Sequence, residues 1–396
     1  MGATLTTVDA LTKEVYGPRI VDQMENETVL TKRIEKTSRG TESQVGGKYV
    51  TFPLKVRRNH GIGYRNELQQ LQAAGQQGWT NVRVPLKYGY GRVHLSGQTI
   101  DLVSENYQAF SRAITEEMDG LKNDLQKDVN RILWSDGSGV LATATAVGTA
   151  VNTFTALNGT DWLDLDMQVD VIDDTDDTTV IASNRKITAI DEATGVVTLD
   201  GAAFSTEVGD RLVRTGNNGL EPEGLASLVE DTTSTLFNLS PATEPLWKAN
   251  VTTGVGALTE SDMITMADTL RKKGGRPSVI FSDLGSRRAY YNLLSTNRRY
   301  TNTKTFEGGF SGLAFTYEDD IPVVTDVDAP AGKMWFLKED TFKIYQHKDW
   351  HWEDKGGSIW NWVSDFDAFE ALIKKYWEFA IDRRNVNGVL TGITAS

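Results

Sequence analysis

The residues best able to do chemistry lie near the C-terminal end. His347 and His351 are four apart, with Glu353 and Asp354 close by, a set that could ligate a metal. Lys348 stands where a helical zinc-protease motif needs glutamate, however, and Phe342-Lys343-Ile344-Tyr345-Gln346 alternates like a strand. Four residues of strand cover about 13 Å, too far to share one ion. Trp350, Trp352, Trp360 and Trp362 interleave with Asp349, Glu353, Asp354, Asp365 and Asp367, which could line a sugar cleft with paired carboxylates. Alternating aromatics on an interface or core strand explain the same pattern with fewer demands. Gly46-Gly47-Lys48-Tyr49 lacks the spacing and closing hydroxyl of a phosphate loop, and Gly61-Ile62-Gly63-Tyr64-Arg65-Asn66 lacks a third glycine and opens no helix. Asp173-Asp174-Thr175-Asp176-Asp177 lacks the glycine and terminal glutamate of a calcium loop and reads as a solvated turn. No catalytic, cofactor-binding or metal residue is predicted, and the chain reads as a non-enzyme.

Composition removes further classes. With 396 residues, 39% hydrophobic and 24% charged, the chain has material for two or three packed domains. The absence of cysteine excludes thiol nucleophiles, thiolate metal sites and a disulfide framework, and fits a reducing compartment. Met1 to Leu11 has no basic, apolar signal pattern, and the long uncharged stretch Gly137 to Thr160 is too rich in Thr, Gly and Asn to span a bilayer. The expectation is a soluble protein without a membrane partner.

Charge is segregated. The net charge is −13, and residues 160–231 alone hold 17 acidic against 4 basic residues. Between Lys48 and Arg92 the sign reverses: Lys48, Lys55, Arg57, Arg58, Arg65, Arg83, Lys87 and Arg92 face only Glu67. Two oppositely charged elements on one chain suggest contacts between copies of it. Overall acidity argues against a chain that grips nucleic acid over its whole surface.

The elements that must position these residues are legible in outline. Residues to about 45 show no sustained period and read as an extended arm that needs a partner to settle on. Lys48–Val56 and Val82–Tyr88 alternate on either side of a Gly- and Gln-rich stretch, predicting a long hairpin with a polar tip. Tyr107, Phe110, Ile114, Met118, Leu121, Leu125, Val129 and Ile132 recur every three or four residues, predicting one helix from Ser104 to Trp134, roughly 45 Å long. Ser104 would cap its start, and Asp136-Gly137-Ser138-Gly139 would stop it. Between the hairpin and the strands that follow, it is expected to lie along a sheet. From Val140 to Gly219 the chain is β-rich, with a hairpin of Lys186–Asp191 and Val196–Asp200. Glu260–Lys273, Pro277–Phe281 and Asp283–Leu294 read as helix, buried strand and helix. Six of the ten tryptophans lie between Trp335 and Trp377.

This order of arm, basic hairpin, very long helix, α/β region and closing strand resembles the major capsid proteins of tailed bacteriophages, the Hong-Kong-97-type fold. Asn218-Gly219-Leu220-Glu221-Pro222-Glu223-Gly224-Leu225 resembles the lead into their axial (A) domain. Gly308-Gly309-Phe310 with Ile321-Pro322-Val323-Val324 resembles their proline-bearing strand, and Ala371 to Asn385, with Arg383 and Arg384, their closing strand. The resemblance implies an α+β fold divided into an N-terminal arm (1–45), an E-loop (46–98), and a peripheral (P) domain with its spine helix (99–139). A β-rich insertion (140–218), the A-domain (219–330), and return strands of the P-domain with the C-terminal segment (331–396) would follow. The insertion departs from the minimal fold and is expected on the outer face.

By the same resemblance the chain would self-assemble as hexamers and pentamers into an icosahedral virion capsid around double-stranded DNA, in the bacterial host cytoplasm. A portal protein would sit at one vertex, and any scaffolding or decoration protein would be a separate chain. DNA would be enclosed without sequence-specific binding. Lys55, Arg57, Arg58, Arg65, Arg83 and Lys87 are the subunit-interface candidates. Some relatives join subunits through a lysine–asparagine bond, for which Lys48, Lys55, Lys87, Asn385 and Asn387 are available. An encapsulin-type compartment shell, and a carbohydrate-binding or carbohydrate-active protein built on the tryptophan-rich end, are the alternatives.

Overall fold

The computed structural model describes residues 28–37, 49–97, 107–156, 160–296, 303–305, 311–354, 359–364 and 366–394. Ser104, Lys48, Asp365 and Gly308-Gly309-Phe310, each singled out above, lie outside them, as does most of the arm.

The hairpin forms from Tyr49–Arg57 and Gly78–Pro85, antiparallel, with Val50 opposite Val84 and Phe52 opposite Val82. Period-two alternation puts Val50, Val56, Val82 and Val84 inward, where all four are buried, and Tyr49, Lys55, Trp79 and Arg83 outward. Its second strand ends at Pro85 rather than Tyr88. A new strand, Lys87–Ser96, starts beyond Leu86 and pairs along its length with Ala368–Ile381, so by pairing only 49–85 of the 46–98 segment belongs to the hairpin.

The long helix runs Tyr107–Trp134 and lies along a sheet, as its stripe predicts. Its surroundings are close: a Cβ on Gly91 of the neighbouring strand would come within 2.8 Å of Ile373 Cγ2 and 2.9 Å of Leu125 Cδ1. The last turn is buried all round, Asn130, Arg131, Leu133 and Trp134 included, because it enters the junction where the sheets meet.

Three sheets frame the helix. Ala368–Ile381 is the spine of a five-stranded sheet, flanked by Lys87–Ser96, Phe342–Gln346, His351–Trp352 and Trp360–Trp362. A seven-stranded sheet has the order Asn250–Thr252, Gly388–Thr391, Lys333–Leu337, Val279–Ser282, Asp320–Thr325, Ser311–Thr316, Thr303–Thr305. Lys333–Leu337 and Gly388–Thr391 therefore complete this sheet and do not return to the five-stranded one. Lys-Met-Trp-Phe-Leu is an apolar run because the strand is central and covered on both faces. The helices Glu260–Lys272 and Leu284–Thr296 belong to the same unit. The first opens on a capping box, Thr259 with Asp262, and buries Met263, Met266, Ala267 and Leu270.

The β-rich insertion is a unit with its own core. Its six-stranded sheet runs Val140–Thr143, Arg211–Arg214, Gln168–Ile172, Val180–Asp191, Val196–Leu199, Thr153–Thr155, and Phe204–Thr206 pairs separately with Gly148–Val151. Phe154, Val169, Val171, Ile187, Val197 and Leu212 fill it.

The expectation for the arm changes too. Part of the arm read as extended is helical, Val29–Thr37. Leu30 and Ile34, one turn apart, bury against the body, and the Leu30 N–H donates to Asp326 Oδ2 at 3.0 Å. This piece of the arm settles on its own chain.

Candidate assembly interface

The root of the hairpin is fastened to its own chain. Phe52 stacks on Tyr345 with centroids 6.2 Å apart, and Arg57 reaches Glu244 at 3.1 Å. The backbone N–H of Arg83 donates to Phe237 O at 3.3 Å and Asn238 Oδ1 at 2.6 Å. Lys87 Nζ donates to Gly219 O at 2.9 Å. Arg57, still 66% exposed, and Lys87, two interface candidates, thus also make contacts within the subunit.

The other four candidates are exposed. Lys55 and Arg83 share the outward face with Tyr49 and Trp79, and Arg58 stands where the strand enters the tip. Arg65 shapes the tip, donating to Gln70 O at 3.1 Å and Gln72 Oε1 at 3.3 Å. Asn59 closes it, donating to Gly75 O at 2.9 Å and accepting from the Gly61 N–H at 2.7 Å. The basic residues drew notice in the sequence, but the tip also carries Ile62, Tyr64, Leu68 and Leu71, with Tyr64 98% exposed. Apolar residues among glycine and glutamine were the available signal. A folded chain that leaves such a row bare presents a contact surface.

Elsewhere the geometry argues for architecture. The His347 N–H donates to Tyr376 O at 2.9 Å, His351 pairs opposite Lys374, and Glu353 salt-bridges Lys374 at 2.8 Å. Asp349 engages Lys375 at 3.1 Å, which holds its carboxyl below the usual range against the opposing effect of burial. Lys375 also lies over the Trp350 ring, while Trp335 and Trp377 are core. The aromatic end therefore belongs to the edges and interiors of two sheets. Asp173, Asp174 and Asp210 come together, but Asp210 accepts the N–H groups of Asp174 and Glu207, the ordinary work of a turn.

The arginines buried where the sheets meet are hydrogen-bonded. Arg131 lies between Asp128 at 3.0 Å and Glu221 at 2.7 Å, and these carboxylates outweigh burial to hold it firmly protonated. Arg384 donates to four backbone carbonyls, those of Ser227, Leu228, Glu230 and Trp247, at 2.8–3.2 Å; burial lowers its pKa to about 10. Asn387 is fully buried: its amide donates to Thr341 Oγ1 and Arg383 O, and its oxygen accepts the Lys338 N–H. Asn387 is thus a bracket between strands, with no free amide to offer a lysine. Gly224 is required by close approach, since a Cβ there would fall 2.3 Å from the carbonyls of both Ile132 and Ser135.

No curated protein matches the chain. Among solved structures it is similar to the cyanophage A-1(L) capsid, with a TM-score of 0.62 at 14% identity, covering 99% of this chain and 100% of that one. A chain of Mycobacterium phage Bobi gives a TM-score of 0.51 at 10% identity, with both chains fully covered. A Synechococcus elongatus encapsulin gives 0.50 at 9%, covering 100% of this chain and 98% of that one. These likenesses show the fold, which is the Hong-Kong-97-type α+β capsid fold. The model of the SU10 major capsid protein family matches residues 102–385, from before the long helix to the buried arginine, and the chain belongs to that family.

Proposed function

We propose that copies of this chain assemble as hexamers and pentamers into the icosahedral head of a tailed bacteriophage, enclosing double-stranded DNA. The observation that carries this reading is the hairpin: its root is fixed to its own subunit, while its tip projects with bare apolar and basic residues. Repeated contacts of this kind, each modest, stabilise a closed shell because every subunit makes them. Lys55, Arg58, Arg65 and Arg83 face neighbours; Arg57 and Lys87 set the angle at which the hairpin leaves the body. The division into arm, E-loop, P-domain, insertion and A-domain follows the same reading, with the insertion on the outer face. A net charge of −13 lets packaged DNA slide instead of sticking. A portal protein would replace one pentamer, scaffolding and decoration proteins would be separate chains, and assembly would take place in the host cytoplasm. The role is structural and calls for no catalytic group or cofactor. Among the described residues no helix is long and apolar enough to cross a membrane.

The likeness to an encapsulin keeps a second shell in view, one that encloses an enzyme cargo. Size-exclusion chromatography with negative-stain microscopy on the expressed chain tests both. Rings or shells are expected, with shell diameter and contents separating head from compartment. A chain that stays monomeric even with the head genes of its own genome co-expressed would overturn the reading.

A further inference from the structure

Beside the long helix lies a cleft of about 710 Å³. One wall is the helix, from Leu121 to Arg131; the other is the insertion, from Asp161 to Gln168. Leu121 and Leu125 are half-buried at its floor, and Leu165 stands 61% exposed on the rim. Six aspartates line it against Lys127, Arg131 and Arg214. Two of those cations are already committed: Arg131 to Asp128 and Glu221, and Arg214 to Asp128 at 3.2 Å. The surplus is negative and concentrated on the insertion wall, in Asp161 and Asp164, Asp166 being paired with Lys186 at 2.7 Å. Burial and nearby Glu192 raise the pKa of Asp161, a cost that an incoming cation would relieve.

Resting on the shell reading above, we propose that this cleft receives the hairpin tip of a second copy, Arg58 and Arg65 meeting the aspartates of the insertion while Tyr64 and Leu68 cover Leu121, Leu125 and Leu165. Charge complementarity selects this occupant. The tip lies in the one strongly basic stretch of the chain, and the insertion holds 13 acidic against 4 basic residues. The cleft's own hairpin does not fill it: the tip's side-chain hydrogen bonds among the described residues run inside 59–75, and the root is held at Phe237, Asn238 and Glu244. The insertion is then part of the assembly machinery, half of a socket whose other half is the helix.

Because the chain lacks cysteine, paired cysteines read the contact cleanly. Full-length Leu68→Cys/Leu165→Cys and Leu68→Cys/Trp362→Cys would be assembled, mildly oxidised and run on non-reducing gels beside the single variants. Trp362 samples the rival seat, the exposed edge of the five-stranded sheet. A covalent ladder from the 68/165 pair, about tenfold above either single variant, is expected from the raised effective concentration of apposed thiols. Gln69→Cys/Asp164→Cys, both at exposed positions, serves if the leucine variants do not assemble. Intact particles with no ladder from either tip-to-cleft pair, or with a ladder only from 68/362, overturn the proposal and leave the shell reading standing. A wild-type chain that forms no rings or shells overturns both.

Discussion

Glu378 Oε1 accepts the backbone N–H of Glu223 at 2.7 Å, tying the segment after the insertion to the central strand of the five-stranded sheet across 155 residues of sequence. It also accepts the Phe379 N–H at 3.1 Å, and Oε2 is buried without a partner. Burial, reinforced by the Glu223 carboxyl and only partly offset by these N–H groups and Lys87, pushes the Glu378 pKa well above the ordinary carboxylate range. Burial raises Glu223 as well, against Ser227, Lys87 and Arg384 and with Asp136. Both folded values lie above the unfolded one, about 4.3, so the folded state holds protons that the unfolded chain has released. Their contribution to stability is therefore greatest below that value and falls as pH rises through the raised ones. Glu378→Gln keeps the accepting oxygen and removes the charge. It should match wild type at pH 4 and gain about 1 kcal/mol at pH 8. Thermal unfolding across pH checks this, and equal melting temperatures at pH 8 would refute it.

Arg384 works through the shape of its fork. Four carbonyls from two stretches of chain, 227–230 and Trp247, converge on one guanidinium, which an ammonium on a flexible stem cannot span. Arg384→Lys should lose about 3 kcal/mol, nearly as much as Arg384→Ala, because the carbonyls are left buried and unpaired. The urea midpoint measures it; a lysine variant near wild type would show that charge alone suffices.

Gly224→Ala places a methyl against two carbonyls at 2.3 Å. It should cost 3 kcal/mol or so, or prevent soluble expression. Gly216→Ala is the control: its φ is +77° but the space around it is open, so about 1 kcal/mol is expected. Similar losses for the two would show that the Gly224 approach relaxes easily.

Replacing Lys55, Arg58 and Arg83 together by serine should leave monomer stability within about 0.5 kcal/mol of wild type, since all three are exposed. Assembly should weaken most at low salt. The deficit should shrink as sodium chloride rises, because the Debye length falls from about 10 Å at 0.1 M to about 3 Å at 1 M. Light scattering during assembly at several salt concentrations measures it, and a deficit independent of salt would assign these residues a role other than charge.

The long helix was legible because eight apolar positions repeat over it. The arm helix was not. It has two anchors, Leu30 and Ile34, and the carboxylate that receives the Leu30 N–H in its first turn is Asp326, 296 residues away. Lys333–Leu337 fell within the segment expected to return to the P-domain, and its place in the seven-stranded sheet was not legible because its partners, Val279–Ser282 and Gly388–Thr391, come from distant segments. The basic tip was visible as charge, while the cleft facing 121–131 and 161–168 was not, its walls being separated in sequence.

Gly388–Thr391 lies between Asn250–Thr252, to which it runs parallel, and Lys333–Leu337. The first strand of that sheet therefore has no hydrogen-bonded neighbour in it until residue 391 has left the ribosome, and the carbonyls that Arg384 joins wait nearly as long. Nascent chains can fold the insertion early, since its core is complete by residue 213, but not the unit built around this strand. The order of the strands along the chain thus separates in time the folding of the insertion from that of the seven-stranded sheet, which waits for Gly388–Thr391.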